Sequence, residues 1–186
     1  MKIYSLFKYH IIILIQICIL IHKVYLLDII IKNNEESIRG FEEALKSNIN
    51  FKEGINLYFP EPYYDLSKYD IFSIALNVEH TINCISTSEN KTILDYGETN
   101  KYALSFFFLL ETVQTVTFSN FIFINSVSPT YTVTAFIHND AFHFVFNNCE
   151  FIDYRSQVFS ILFSDVKCIL NNKDFNQVEF NNCKFS

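Results

Sequence analysis

From Ile49 onward, apolar and polar positions alternate over short runs instead of recurring every three or four residues. "GINLYFP" puts Ile55, Leu57 and Phe59 on one face until Pro60 and Pro62 interrupt it, and "DIFSIALNV" then resumes the alternation. Further runs rich in β-branched and aromatic residues follow: "NCIS", "KTILDY", "YALSFFFLL", "TVTFSNFIFIN", "YTVTAFIHN", "AFHFVF", "VFSILFS" and "VKCIL". A period of two with such residues predicts short, half-buried strands. The turns between them use Asn, Asp, Ser and Thr, and neither Asn-Gly nor Asp-Gly occurs. Those dipeptides make the tight two-residue hairpins, so an antiparallel meander is disfavoured.

One segment has helical periodicity. In "NNEESIRGFEEALKSN", Asn33 can cap the first turn with Glu36 in capping-box position, and Ile38, Phe41 and Leu45 fall on one face. Glu42 and Lys46 add an i,i+4 pair on the opposite side, and Asn48 is a plausible stop. This pattern predicts an amphipathic helix over 33–48 that covers an apolar surface.

The chain before it reads differently. Lys2 and Lys8 precede "IIILIQICILI" (Ile11 to Ile21), which His22 and Lys23 close. A positive start followed by an apolar run of this length is the pattern of an export signal. It falls short of the roughly 20 residues that an ordinary spanning helix needs. Extending it through "VYLLDIII" brings in His22, Lys23 and Asp28, and a charge at mid-membrane costs roughly 2 to 3 kcal/mol. Export is favoured over anchoring, with an uncleaved signal anchor kept as the alternative because no small-x-small cleavage site follows.

Three segments share a phrase. Phe118 to Phe123 ("FSNFIF"), Phe146 to Phe151 ("FNNCEF") and Phe180 to Phe185 ("FNNCKF") fit F-x-N-[FC]-x-F, at spacings of 28 and then 34 residues. A repeat of that period with short strands predicts a solenoid in which each coil stacks on the last at about 4.8 Å. Asn120, Asn148 and Asn182 would then stack at a turn, where in-register amides satisfy one another along a ladder. Phe121, Cys149 and Cys183 would share the next position, and Phe151 and Phe185 would stack in the interior. A disulfide between Cys149 and Cys183 is the alternative to an inward ladder of small apolar side chains, and the ladder is preferred.

A leader, an amphipathic helix and the repeated "VTFSNFIF", "FVFNNCEF" and "VEFNNCKF" together resemble secreted right-handed parallel β-helix proteins of the pectin-lyase-like superfamily, most of all its repetitive, non-catalytic surface members. The repeat match spans Val116 to Ser186. The resemblance implies an all-β, right-handed parallel β-helix with the N-terminal helix capping its first coil. The expected organisation is a signal peptide or signal anchor over 1–26, a capping-helix region over 27–48 and a β-helix over 49–186. Because the chain stops on the repeated phrase, the solenoid reads as incomplete at that end, as in a fragment of a longer protein or a chain that associates end to end.

Composition narrows the function. The length of 186 residues suits one domain, and the excess of 20 acidic over 14 basic residues gives a net charge of −6 with no basic stripe for phosphates. Nucleic acid is therefore not an expected partner. Glycine occurs only at 40, 54 and 97, which excludes glycine-rich phosphate loops and the G-x-S-x-G elbow. No cofactor is expected. Asn90-Lys91-Thr92 is the one N-x-S/T triplet, in the polar loop "STSENKT", and marks Asn90 as a candidate glycan acceptor.

The superfamily's polysaccharide lyases and hydrolases carry charged side chains on an outer sheet face, which makes Asp153 and Arg155 the nearest catalytic candidates, with Asp165 and Lys167 as a second pair. An ordinary solvated turn charge is the preferred reading of each. His138, Asp140 and His143 form a weak metal-like cluster whose histidines have opposite strand parity, and Glu79, His80 and Cys84 form another. Tyr131 and Tyr154 could stack on sugars. The expectation is an exported, secreted or cell-surface β-helical protein that presents a structural or binding surface to a carbohydrate or a cell-surface protein. A polysaccharide lyase or glycoside hydrolase on the same fold, and a membrane-anchored surface protein, are the alternatives.

Overall fold

A computed structural model describes residues 26–34, 54–68, 74–78, 81–98, 104–108, 111–127, 133–153, 158–167 and 176–186. Strand β1 (Leu27–Ile30) comes first. Four successive triplets follow, each contributing one strand to each of three sheets: β2 (Ile55–Phe59), β3 (Tyr63–Asp65) and β4 (Ile74–Val78); β5 (Ile82–Ser86), β6 (Thr92–Asp95) and β7 (Leu104–Phe108); β8 (Gln114–Ser119), β9 (Phe121–Ile124) and β10 (Val133–Asn139); β11 (Phe142–Asn147), β12 (Glu150–Ile152) and β13 (Phe159–Lys167). Then come β14 (Val178–Asn181) and β15 (Lys184–Phe185). The first sheet runs β1-β2-β5-β8-β11-β14, the second β15-β12-β9-β6-β3 and the third β13-β10-β7-β4. Every described pairing is parallel, so the protein is an all-β parallel solenoid.

The two-residue period drives this arrangement. In β2 Ile55, Leu57 and Phe59 are buried, in β5 Ile82, Cys84 and Ser86, and in β8 Gln114, Val116 and Phe118, while the residues between them are only partly buried. Successive side chains on a strand point to opposite faces, so each coil delivers one row inward from each sheet. The rows meet in a single core that includes Leu57, Leu94, Phe106, Phe118, Phe123, Ile137, Phe146 and Phe151.

Register is kept although coil length is not. Ile55 pairs with Ile82, Ile82 with Val116, Val116 with Phe144, and Phe144 with Val178, so the added residues fall in the corners. The corner between the first two sheets is Thr87 to Lys91 in one coil and the single residue Asn120 in the next. On the third sheet, Ile137 pairs with Phe163 but Asn139 with Lys167, so β13 bulges in between.

Leu27–Ile30 departs from the expectation of a capping-helix region over 27–48. It is a strand, with Leu27 paired to Ile55 and Ile30 to Tyr58, and the solenoid therefore begins before residue 49. Leu27 and Ile29 are partly buried while Asp28 and Ile30 are exposed, as in a strand lying on β2, and Gly54 permits the close approach. Its φ is +116°, and a Cβ there would sit 2.8 Å from both Leu26 Cδ2 and the Thr81 carbonyl. Asn33, the expected helix cap, donates through Nδ2 to the Tyr63 carbonyl at 2.8 Å, and so covers part of the β3 edge. The remainder of the expected helix, from residue 35, and the signal segment through residue 25 lie outside the described residues. The one helical element among the described residues is a 3₁₀ turn, Leu66–Lys68.

Candidate functional site: the stacked corners

The repeated phrase forms the corner between the first and second sheets. Asn120, Asn148 and Asn182 have φ of 67°, 54° and 54°, a left-handed conformation that Asn tolerates better than most residues and that turns the chain without glycine. Their side chains form a ladder: Asn148 Nδ2 donates to Asn120 Oδ1 at 2.8 Å and Asn182 Nδ2 to Asn148 Oδ1 at 3.0 Å. Beside it, Asn181 Nδ2 donates to Asn147 Oδ1 at 3.1 Å. The backbone repeats the same linkage, with the Asn120 N–H on the Asn147 carbonyl and the Asn148 N–H on the Asn181 carbonyl.

Glu150 pairs with both Ile122 and Lys184, so the preceding positions, Phe121, Cys149 and Cys183, occupy one place on successive coils. Phe121 and Cys149 are fully buried and Cys183 partly so. Cys84, Cys149 and Cys183 are free thiols. Instead of bonding to each other, Cys149 Sγ donates to the Phe118 carbonyl at 3.6 Å and Cys183 Sγ to the Phe146 carbonyl at 3.3 Å. Burial pushes the Cys149 thiol up to about 12 and raises that of Cys84 further, which keeps both protonated and unreactive.

Two columns of phenyl rings run through the interior. Phe118, Phe146 and Phe180 stack at 5.6 and 4.9 Å, and Phe123, Phe151 and Phe185 at 5.0 Å each. Edge contacts such as Phe146 to Phe151, at 74°, join the two columns.

The second corner, between the second and third sheets, also uses left-handed residues. Asn125 and Asp153 have φ of 58° and 54°. Asp95 organises this corner: its Oδ2 accepts from Tyr63 Oη at 2.6 Å, and its Oδ1 from Asn125 Nδ2 and the Gly97 N–H, both at 2.8 Å. Asp153 is exposed, and its N–H donates to the Ser186 carbonyl at 3.1 Å. Its partner in the catalytic pair, Arg155, lies outside the described residues. Asp165 sits in the β13 bulge, with Lys167 at its far end opposite Asn139.

The structure spreads His138, Asp140 and His143 over two sheets and the corner between them. His138 is exposed on β10 of the third sheet, Asp140 is at the following corner, and His143 is on β11 of the first sheet. His143 Nε2 lies 3.3 Å from Glu179 Oε1. Among the described residues, no three His, Cys, Asp or Glu side chains group closely enough to hold a metal. Glu79, His80, Tyr131 and Tyr154 lie outside the described residues, whereas Cys84 points into the core.

In three comparisons, no protein-family model, no curated protein and no solved structure matches the chain.

The structure also contains interactions that the repeated phrase does not announce. On the outer face of the first sheet, Asn56 Nδ2 donates to Asp28 Oδ1 at 2.9 Å and Asn83 Nδ2 to Asn56 Oδ1 at 3.0 Å, an earlier amide ladder. Lys91 Nζ reaches Glu150 Oε1 at 2.7 Å, with Lys184 Nζ 3.6 Å from the same oxygen. The hydrogen bond from Lys91 and its positive charge hold the Glu150 carboxyl below the usual range, against a smaller opposing effect of burial. On the outside of the third sheet, Phe107 and Phe136 stack face to face at 4.4 Å and 4°. Their faces are turned on each other, so they present edges, not a flat platform, to a sugar.

Proposed function

We propose that the protein is an exported, right-handed β-solenoid of the pectin-lyase-like kind that works as a structural or binding surface, secreted or held at the cell periphery, with no chemistry of its own. One observation carries this reading: outward polar side chains are engaged with their counterparts on neighbouring coils, at a corner in Asn120–Asn148–Asn182 and on the outer face of the first sheet in Asp28–Asn56–Asn83. Amides and carboxylates spent on one another hold a surface in register, whereas a catalytic pair needs groups convergent on a substrate. The partner of such a surface is a carbohydrate or a cell-surface protein. A second copy could extend the solenoid at the β14 and β15 edges, beside the exposed Phe180 and Phe185.

The test is incubation of the purified chain with pectin and other polysaccharides, with and without calcium. The expected result is no depolymerisation together with retained binding to a glycan or to a cell surface. Chain cleavage that Asp153→Ala abolishes would replace this reading with that of a polysaccharide lyase or hydrolase. An intact leader on the mature protein would make it membrane-anchored.

A further inference from the structure

We propose that Asn90 is an N-glycan acceptor that can be modified only before its coil closes, so that the folded solenoid is no substrate for the transfer. The inference rests on the export reading above. Transfer to an N-x-S/T triplet requires access to the asparagine carboxamide and to the hydroxyl two residues on. In the fold these two groups have opposite fates.

Asn90 is exposed in the bend before β6. Thr92, at the start of β6, is fully buried. Its Oγ1 lies 2.8 Å from Ser86 Oγ and donates to the Glu61 carbonyl at 3.0 Å, while its N–H donates to the Asn120 carbonyl at 3.1 Å. The hydroxyl is therefore held from the coil before, through Glu61, and the backbone from the coil after, through Asn120. The loop is fixed as well, because the Asn90 carbonyl accepts from Ser86 Oγ at 3.4 Å and from Ser88 Oγ. Presenting Thr92 to an enzyme would require unpairing β6 from both neighbouring coils, a subglobal opening.

The chemistry is a glycosyl transfer from a lipid-pyrophosphate-linked oligosaccharide. Asn90 Nδ2 bonds to C1 of the reducing-end sugar, the bond from C1 to the pyrophosphate oxygen breaks, the lipid pyrophosphate leaves with that electron pair, and the proton that Nδ2 gives up passes to a basic group of the transferase. The glycan then projects from an outer corner, away from the core. Occupancy is set during synthesis and cannot be raised afterwards.

The experiment uses the full chain with a strong cleavable leader fused ahead of Met1, synthesised into membrane vesicles that contain the transferase and the lipid-linked donor. The expected result is a mass increase that a glycan-releasing amidase removes and that Asn90→Gln abolishes. Folded, unmodified chain incubated with solubilised transferase and donor should acquire no sugar, whereas the same chain diluted from denaturant into the reaction should acquire it. Absence of sugar on the translocated chain would overturn the proposal, as would modification of folded chain as fast as unfolded. The fused leader separates this from the export reading, whose failure would appear as lost translocation when that leader is omitted.

Discussion

Replacing Phe146 by Ala should cost about 3–5 kcal/mol, the usual loss for truncating a fully buried Phe, whereas Phe185→Ala should cost about 1–1.5 kcal/mol. The contrast follows from position along the column. Phe146 is fully buried, and lies flat between Phe118 at 5.6 Å and Phe180 at 4.9 Å, with edge contacts to Phe123, Phe151 and Phe159. Phe185 is 57% exposed, lies flat on Phe151 alone and touches Phe180 at an angle. A domain of this size is stable by about 5–15 kcal/mol, so the first substitution removes a large fraction of the total and the second a small one. Urea unfolding followed by circular dichroism, with the slope checked for constancy, measures both. Because β14 pairs directly with β11, hydrogen exchange in Phe146→Ala should accelerate first in β14, the rung that rests on it. Equal costs for the two substitutions would refute the argument, since burial along the column could not then be what sets the energy.

Three other perturbations test separate parts of the account. Asn148→Ala should cost about 2–3 kcal/mol, from two lost amide bonds and a left-handed backbone, and Asn148→Gly about 1 kcal/mol less; equal losses in thermal or urea unfolding would remove the backbone share. Gly54→Ala should destabilise by about 1–3 kcal/mol, because φ is +116° and the new Cβ would meet the Thr81 carbonyl at 2.8 Å; unfolding indistinguishable from the parent would contradict this close approach. Stability should be fully present below about pH 8.5 and decline as pH rises towards 12, because unfolded thiols ionise first while folded Cys149 and Cys84 hold their protons. Tyr63, pushed up to about 12 chiefly by its hydrogen bond to Asp95, adds to the same decline. The expected slope is at most about 1.4 kcal/mol per pH unit for each thiol, measured by urea unfolding under reducing conditions, and a flat alkaline profile would be incompatible with buried thiols.

How much of this could be read from the residues depended on how faithfully one coil copies the next. The phrase at Phe118, Phe146 and Phe180 keeps its Asn and Phe, so its register and its turn could both be anticipated, though not the left-handed conformation of that turn. The earlier coils keep only polarity: the column of Phe118 continues upstream as Cys84 and Leu57, similar in burial but not in letter. The ladder through Asp28, Asn56 and Asn83 was hidden for that reason, although spacings of 28 and 27 residues mark it. "LDII" was harder still, because an apolar run next to the leader has no period that separates a strand from its neighbour, and only pairing with Ile55 reveals it. The Asp95 corner draws its partners from Tyr63 and Asn125 on adjacent coils, and no local motif encodes a contact of that kind.

Like side chains at one strand spacing, with amides bonded to amides and phenyl rings laid on phenyl rings, make up the internal order of a cross-β fibre. In a fibre that order requires many chains and grows without limit. Here one chain provides its own successive layers, and corners of unequal length, five residues at Thr87 to Lys91 against one at Asn120, interrupt the translational symmetry that unlimited growth depends on.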